Sequence, residues 1–406
     1  MQDVPRAVVA AQRQLRREVP DLEGRFRRTS EALREEVAAV RAEQAAGGAV
    51  PELAYADVAA GRVSEAQRAR IKRRGCVVIR GVFDPDQIDE WNAEILRYVD
   101  DNHYAERAAA RTGGPATRAL QMFGLYWSRP QMLARQAESQ ATTRAFLNRL
   151  WTFESGGVRH FDPDRQVSYA DRVRRRQPGD TTLALPPHSD GSSVERWCAP
   201  RFQRMYREVL QGDPLKFDPF DAADRAQTEE IPSPNVCSAF RTFQGWTALS
   251  RQGPGDGTLQ LVPIAQTMPW MLLRALQSDV PEGDLCGATP GRSLRALPAW
   301  HALLLDALVS IPRVDRGDTV WWHSELIHGT EDRHDGSGDS NVLYIAAAPW
   351  CDKNAAFLER QAPAFLAGRS GPDFPVDDYE VDFQGRARLE DLSPLGQRQM
   401  GLLPWA

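Results

Sequence analysis

The chain has 406 residues, 42% hydrophobic and 26% charged, a composition that suits one large domain with helical additions or two smaller ones. Fifty basic against fifty-five acidic residues leave a net charge of −5, which argues against nucleic acid as an electrostatically recruited partner. No run reaches the roughly 18 apolar residues of a membrane span, and Met1 to Leu15 lacks the apolar core of a leader, so no membrane partner and a cytoplasmic location are expected. The five cysteines are scattered singly without a CxxC pair, so neither a disulfide framework nor a zinc knuckle is indicated and a reducing compartment is expected.

From Val8 to about Glu43 the sequence is dense in Ala, Arg, Glu and Leu, the texture of amphipathic surface helices. Ala45 to Pro51 breaks it, and a second helical stretch covers about Ser64 to Arg74. Cys76 to Arg80 is a β-branched apolar run that predicts a buried strand. Asp84-Pro85 then starts a helix whose apolar positions Ile88, Trp91, Ile95 and Val99 fall at core-packing spacing. Short charge runs such as Arg174 to Arg176 read as solvated faces.

Between Gln177 and Pro349 short apolar runs alternate with Gly, Pro and Asp turns: Thr181 to Leu185, Phe240 to Leu249, Thr258 to Val262, Thr319 to Trp322 and Asn341 to Ala347. That pattern predicts an antiparallel sandwich or jelly roll. Pro269 to Leu308 interrupts it with helix-like composition. The expected organisation is an N-terminal helical extension over 1–60, a mainly β domain over 61–352 with a helical insertion at about 265–310, and a C-terminal helix and coil extension over 353–406.

His188 and Asp190 stand two apart at the end of an expected strand, so their side chains share a face. A non-haem iron oxygenase needs two histidines and one carboxylate on one face of the metal, with the opposite positions open. The H-x-D pair alone is common by chance. A second half lies in Gly317 to Thr330, a Gly-Asp turn followed by an apolar strand, with His323 and His328 both able to complete the set. His334 falls in a polar Gly-Ser turn and reads as solvated.

Four segments occur in a telling order: Arg74 to Phe83, the His188/Asp190 pair, Trp246 to Leu249 leading into Gly257 to Pro263, and Gly317 to Thr330. In these the chain resembles the phytanoyl-CoA hydroxylase-like branch of the iron and 2-oxoglutarate oxygenases, and more closely the DUF1479-type family, over roughly residues 70 to 350. The resemblance implies a double-stranded β-helix (jelly roll, cupin-like) flanked by helices, binding Fe(II), 2-oxoglutarate and dioxygen and hydroxylating a small-molecule substrate. It places the third ligand at His328, inside Leu326-Ile327-His328-Gly329-Thr330, with His323 as the competitor. It also implies hydroxylation over halogenation, because related halogenases replace the carboxylate with a small residue.

Related enzymes hold the far carboxylate of 2-oxoglutarate with an Arg about eleven residues after the distal His. Here that neighbourhood, Asp339 to Leu343, has no basic residue. The role is therefore expected to fall to another Arg: Arg241 first, because a charge opening an apolar core strand needs a partner, then Arg333. The missing clamp leaves two other readings open, a cupin-type isomerase or 2-oxoglutarate-independent dioxygenase, and a metal or ligand sensor without turnover. Arg196, Trp197, Trp127 and Trp246 are further pocket candidates.

Overall fold

The computed structural model describes residues 3–113, 121–182, 184–234 and 236–405. The protein is a mixed α/β structure in which two sheets face one another and helices cover both outer sides. The larger sheet has seven strands in the order Glu52–Ala54, Cys76–Arg80, Thr319–His323, Phe243–Ala248, Ser340–Tyr344, Val173–Arg176, Met122–Phe123. The smaller has five in the order Leu294–Arg295, His188–Ser189, His328–Thr330, Leu259–Leu261, Val309–Ser310. Apart from the parallel edge pair of Glu52–Ala54 with Cys76–Arg80, the pairings in both sheets are antiparallel. From Val173 onward the chain passes repeatedly from one sheet to the other.

Alternation along the strands divides the apolar residues into layers. Val78, Trp246, Leu261, Val320, Trp322 and Val342 fill the space between the sheets. Their neighbours Val77, Ile79, Phe243, Trp321 and Leu343 point the other way, against helix residues Ile88, Trp91 and Leu147. A second helical layer lies outside the smaller sheet, where Leu15, Leu33 and Val37 meet Met271, Leu272, Leu304 and Ile327.

The local signals that start and stop these elements are plain. Ser64 and Gln67 form a reciprocal capping box at the start of Glu65–Arg74, and Gly75 ends that helix at φ 66° before the chain enters the sheet. Asp84 accepts from the backbone N–H groups of Asp86 and Gln87, with Pro85 opening Pro85–Asp101. Of the N-terminal helices Val4–Glu18 and Leu22–Ala45, the second is tied to this frame by Arg74. Its fully buried guanidinium donates to Glu36 at 3.0 Å and to Glu43 at 3.1 Å.

Several expectations need correcting. Of the expected strand Thr181 to Leu185, Leu183 lies outside the described residues and the residues around it form no strand. The strand is instead Val173–Arg176, and Arg174 and Arg176 are buried at 3% and 0% exposure where a solvated face was expected. Period-two alternation turns both inward and leaves only Arg175 outside, paired with Asp339 at 2.7 Å. His334 is also buried: its Nε2–H donates to the Gly338 carbonyl and its Nδ1 accepts from the Gly336 N–H. The helix-like stretch after Pro269 holds two helices, Thr267–Arg274 and Pro298–Leu305, separated by the short strand Leu294–Arg295. No helix among the described residues is long and apolar enough to cross a membrane.

Candidate metal centre

The smaller sheet brings the candidate ligands together through its register. His328 lies directly opposite His188, with Leu261 on its other side, and His188 is flanked in turn by Arg295. Gly329 makes this approach possible. A Cβ there would stand 2.6 Å from the Leu185 carbonyl oxygen and 3.2 Å from the Pro187 nitrogen, so any side chain would push the two strands apart.

His188, Asp190 and His328 are a group that could hold a metal ion, with one ligand atom from each lying within 4.8 Å of the others. Asp190 is the hub: its Oδ1 is 3.3 Å from His188 Nε2 and its Oδ2 is 3.7 Å from His328 Nε2. Neighbouring ligands at about 2.1 Å from a six-coordinate metal stand about 3 Å apart, so the set is spaced to close on one ion with small side-chain movements.

Hydrogen bonding fixes which nitrogens face the centre. His188 Nδ1–H donates to the Pro186 carbonyl at 2.8 Å, and His328 Nδ1–H donates to the Leu326 carbonyl at 2.9 Å. Each ring is held by the backbone two residues upstream, which turns Nε2 toward Asp190, where it can ligate a metal whenever the ring is neutral. Burial, with His188 beside it, pushes the His328 imidazole down to about 4, so it stays neutral and able to ligate near neutral pH. Burial works to raise the Asp190 carboxyl, but the contact with His188 first, then His328 and the Arg241 guanidinium nearby, hold it well below the usual carboxylate range. It is an anion at any ordinary pH.

Two supports of Asp190 carry no spacing signal in the sequence. Ser293, just before Leu294–Arg295, donates to Oδ1 at 3.0 Å. Arg196 donates to the Asp190 backbone carbonyl at 3.2 Å while its guanidinium pairs with Glu325 at 2.8 Å. Arg196, a pocket candidate from the sequence, thus braces the carboxylate loop and also lines a small neighbouring cavity.

The group opens onto a cavity of about 240 Å³ between the sheets, lined among others by Arg174, Arg241, Gln244, Trp246, Trp322 and Tyr344. The Trp322 ring lies 5.2 Å from that of His328, and among the described residues its buried Nε1–H has no hydrogen-bond partner. Arg241 reaches the cavity as expected from the sequence, its guanidinium 5.4 Å above the Tyr169 ring. Arg333 does not: its side chain is 70% exposed and pairs with Asp335. Trp197 and Trp127 are core residues whose indole N–H groups donate to the Leu272 and Arg369 carbonyls. His323, the competing ligand, faces the opposite side of its sheet, stacked on Trp151 at 4.8 Å, with both ring nitrogens bonded to backbone at Pro219 and Glu325.

Fold and site together define a two-sheet protein with a two-histidine, one-carboxylate group in an internal cavity. The chain belongs to the Gig2-like family, whose model matches residues 2–402. It is 44% identical over 395 residues to uncharacterised protein YbiU of Escherichia coli (strain K12), covering 96% of this chain and 94% of that one. The solved structure of protein JW0805 from Escherichia coli matches with TM-score 0.91 at 43% identity, covering 98% of each chain. A structure from Salmonella typhimurium LT2, whose name assigns it provisionally to the oxidoreductases, matches with TM-score 0.91 at 39% identity over 98% of this chain and 97% of that one. That of GlcNAc Inducible Gene 2 (DUF1479) from Candida albicans matches with TM-score 0.83 at 27% identity over 98% and 90%. The DUF1479-type resemblance read from the sequence is therefore borne out at the level of the family.

Proposed function

We propose that this protein is a non-haem Fe(II)/2-oxoglutarate-dependent oxygenase that hydroxylates a small molecule, with His188, Asp190 and His328 as the iron ligands. The observation that carries the reading is the pair of imidazoles on facing strands, each tied through Nδ1 to its own backbone so that Nε2 faces one shared carboxylate. A structural histidine pair needs no such arrangement at the wall of a cavity. The repeated passage of the chain between the two sheets supports a double-stranded β-helix, and with it the phytanoyl-CoA hydroxylase-like branch.

Bound iron, with 2-oxoglutarate and dioxygen, would supply the oxidation of the cosubstrate to succinate and carbon dioxide and the activation of one C–H bond. The chain's own residues hold and orient. Asp190 remains ionised and accepts from Ser293, so its carboxylate presents a fixed edge. The tethered rings of His188 and His328 hold a single tautomer, and Trp246, Leu259 and Trp322 keep the wall beside them apolar.

Anaerobic addition of Fe(II) and 2-oxoglutarate should produce the weak visible charge-transfer band of a chelated 2-oxo acid, and admission of oxygen should release succinate. No band would favour an isomerase or a cosubstrate-independent dioxygenase. A band without succinate would favour a sensor.

A further inference from the structure

Five of the basic side chains that line the main cavity or the smaller one beside it can be sorted by whether a carboxylate holds them. Arg196 and Arg225 share Glu325, at 2.8 and 3.0 Å, and Lys353 pairs with Glu230 at 2.7 Å. Arg174 and Arg241 stand apart: among the described residues, neither forms an ion pair. Both are buried, at 3% and 9% exposure. A buried guanidinium that no carboxylate contacts is costly, so each is a place where an anionic ligand is stabilised.

The two occupy different parts of the site. Arg174 lies on Val173–Arg176 directly opposite Val342, so its side chain leaves the sheet on the same face as that of Val342. The strand Ser340–Tyr344, where no basic residue occurs, thus has one supplied from its neighbour. Arg174 donates to the Gly257 carbonyl at 3.2 Å and lies beside the Tyr344 hydroxyl, and among the described residues its buried Nε–H has no partner. With the Trp322 indole it gives the main cavity two donors that no atom of the described residues satisfies. Arg241 instead lines both the main cavity and the smaller one of about 70 Å³, together with Asp190 and Cys237. Among the described residues its guanidinium makes no hydrogen bond; its contact is the face of Tyr169.

Resting on the oxygenase reading above, we propose that the site is built for two anions: Arg174 holds the distal carboxylate of 2-oxoglutarate, and Arg241 holds a carboxylate of the substrate, which is a small organic acid. One cosubstrate has one carboxylate left after its 2-oxo acid end meets the metal, so a single guanidinium satisfies it. The second guanidinium, beside Asp190 and at the meeting of two cavities, is then the anchor of the molecule to be oxidised. A planar fork matches a carboxylate in two parallel hydrogen bonds, which fixes orientation as well as charge.

The test uses the intact Fe(II)-loaded protein under anaerobic conditions, read by the charge-transfer band and by titration heat. Arg174→Gln should raise the apparent Kd for 2-oxoglutarate ten- to a hundredfold, the loss of one charge-assisted contact, while Arg241→Gln stays within about threefold of the parent. Arg174→Lys, which keeps charge and loses the fork, replaces the glutamine variant if circular dichroism shows that variant misfolded. With 2-oxoglutarate saturating, hydroxy acids and dicarboxylates of three to six carbons are titrated against their neutral methyl amides. At least one acid should bind tenfold or more tightly than its amide, and Arg241→Gln should abolish that difference. The proposal is overturned if no acid is preferred, if the preference survives Arg241→Gln, or if 2-oxoglutarate affinity falls with Arg241→Gln and not with the Arg174 variants. Absence of any 2-oxoglutarate binding to the iron-loaded parent would instead overturn the oxygenase reading itself.

Discussion

His323 gives the protein a built-in sensitivity to acid that can be worked out from its surroundings. Its ring is fully buried, stacked on Trp151 and edged by Phe220, with Nε2–H donating to the Pro219 carbonyl at 2.9 Å and Nδ1 accepting from the Glu325 N–H at 3.1 Å. A second proton would have to displace that last hydrogen bond inside an aromatic cage. Burial, followed by the nearby Arg225 charge, pushes the imidazole from its ordinary 6.5 down to about 3. The folded state therefore binds its proton later than the unfolded state, and the stability present above pH 6.5 is lost progressively as the pH falls toward 3. At pH 5 the unfolded chain is protonated and the folded chain is not, a difference of about 1.5 pH units, or about 2 kcal/mol. Urea unfolding of the metal-free protein at pH 7.5 and 5.0 measures this against His323→Gln. The variant should be less stable at pH 7.5, yet its further loss on going to pH 5.0 should be smaller than the parent's by about 2 kcal/mol. An identical pH dependence in parent and variant would refute the reasoning.

Other substitutions test the frame around the site. Gly329→Ala places a methyl group against the Leu185 carbonyl and should part the strands that carry His188 and His328, lowering Fe(II) affinity at least tenfold in calorimetry while far-ultraviolet circular dichroism is retained. Arg74→Gln removes the buried partner of Glu36 and Glu43 and should destabilise the fold by about 3 kcal/mol in denaturant, with faster proteolysis in the turn at Ala46–Ala49 that follows the second helix. Arg333→Gln should leave 2-oxoglutarate affinity within about threefold of the parent, because the side chain stands in solvent.

The grouping of His188, Asp190 and His328 was legible because its geometry is local. An H-x-D pair shares a face wherever the backbone is extended, and a His followed by Gly next to a short strand needs only one pairing to meet it. The order of the strand segments also carried the family. What the sequence concealed was the identity of the inward-facing charges. Arg174, Arg175 and Arg176 read as a solvated run, since a string of like charges does not reveal which members face a cavity; only the pairing with Ser340–Tyr344 separates Arg174 from Arg175. Leu294–Arg295 was hidden for a different reason, because two residues are too short to display a period. His334 looked solvated because Gly and Ser surround it, but the backbone of that turn supplies both of its hydrogen bonds.

The most direct measurement on the metal set is the anaerobic stoichiometry of Fe(II) bound to the parent and to His188→Ala, Asp190→Ala, His328→Ala and His323→Ala, by calorimetry with metal analysis. The parent should bind one Fe(II), the first three variants should lose stoichiometric binding because a facial set cannot spare a ligand, and His323→Ala should keep measurable affinity. Loss of iron in His323→Ala with retention in His328→Ala, or undiminished binding in all four variants, would contradict the assignment.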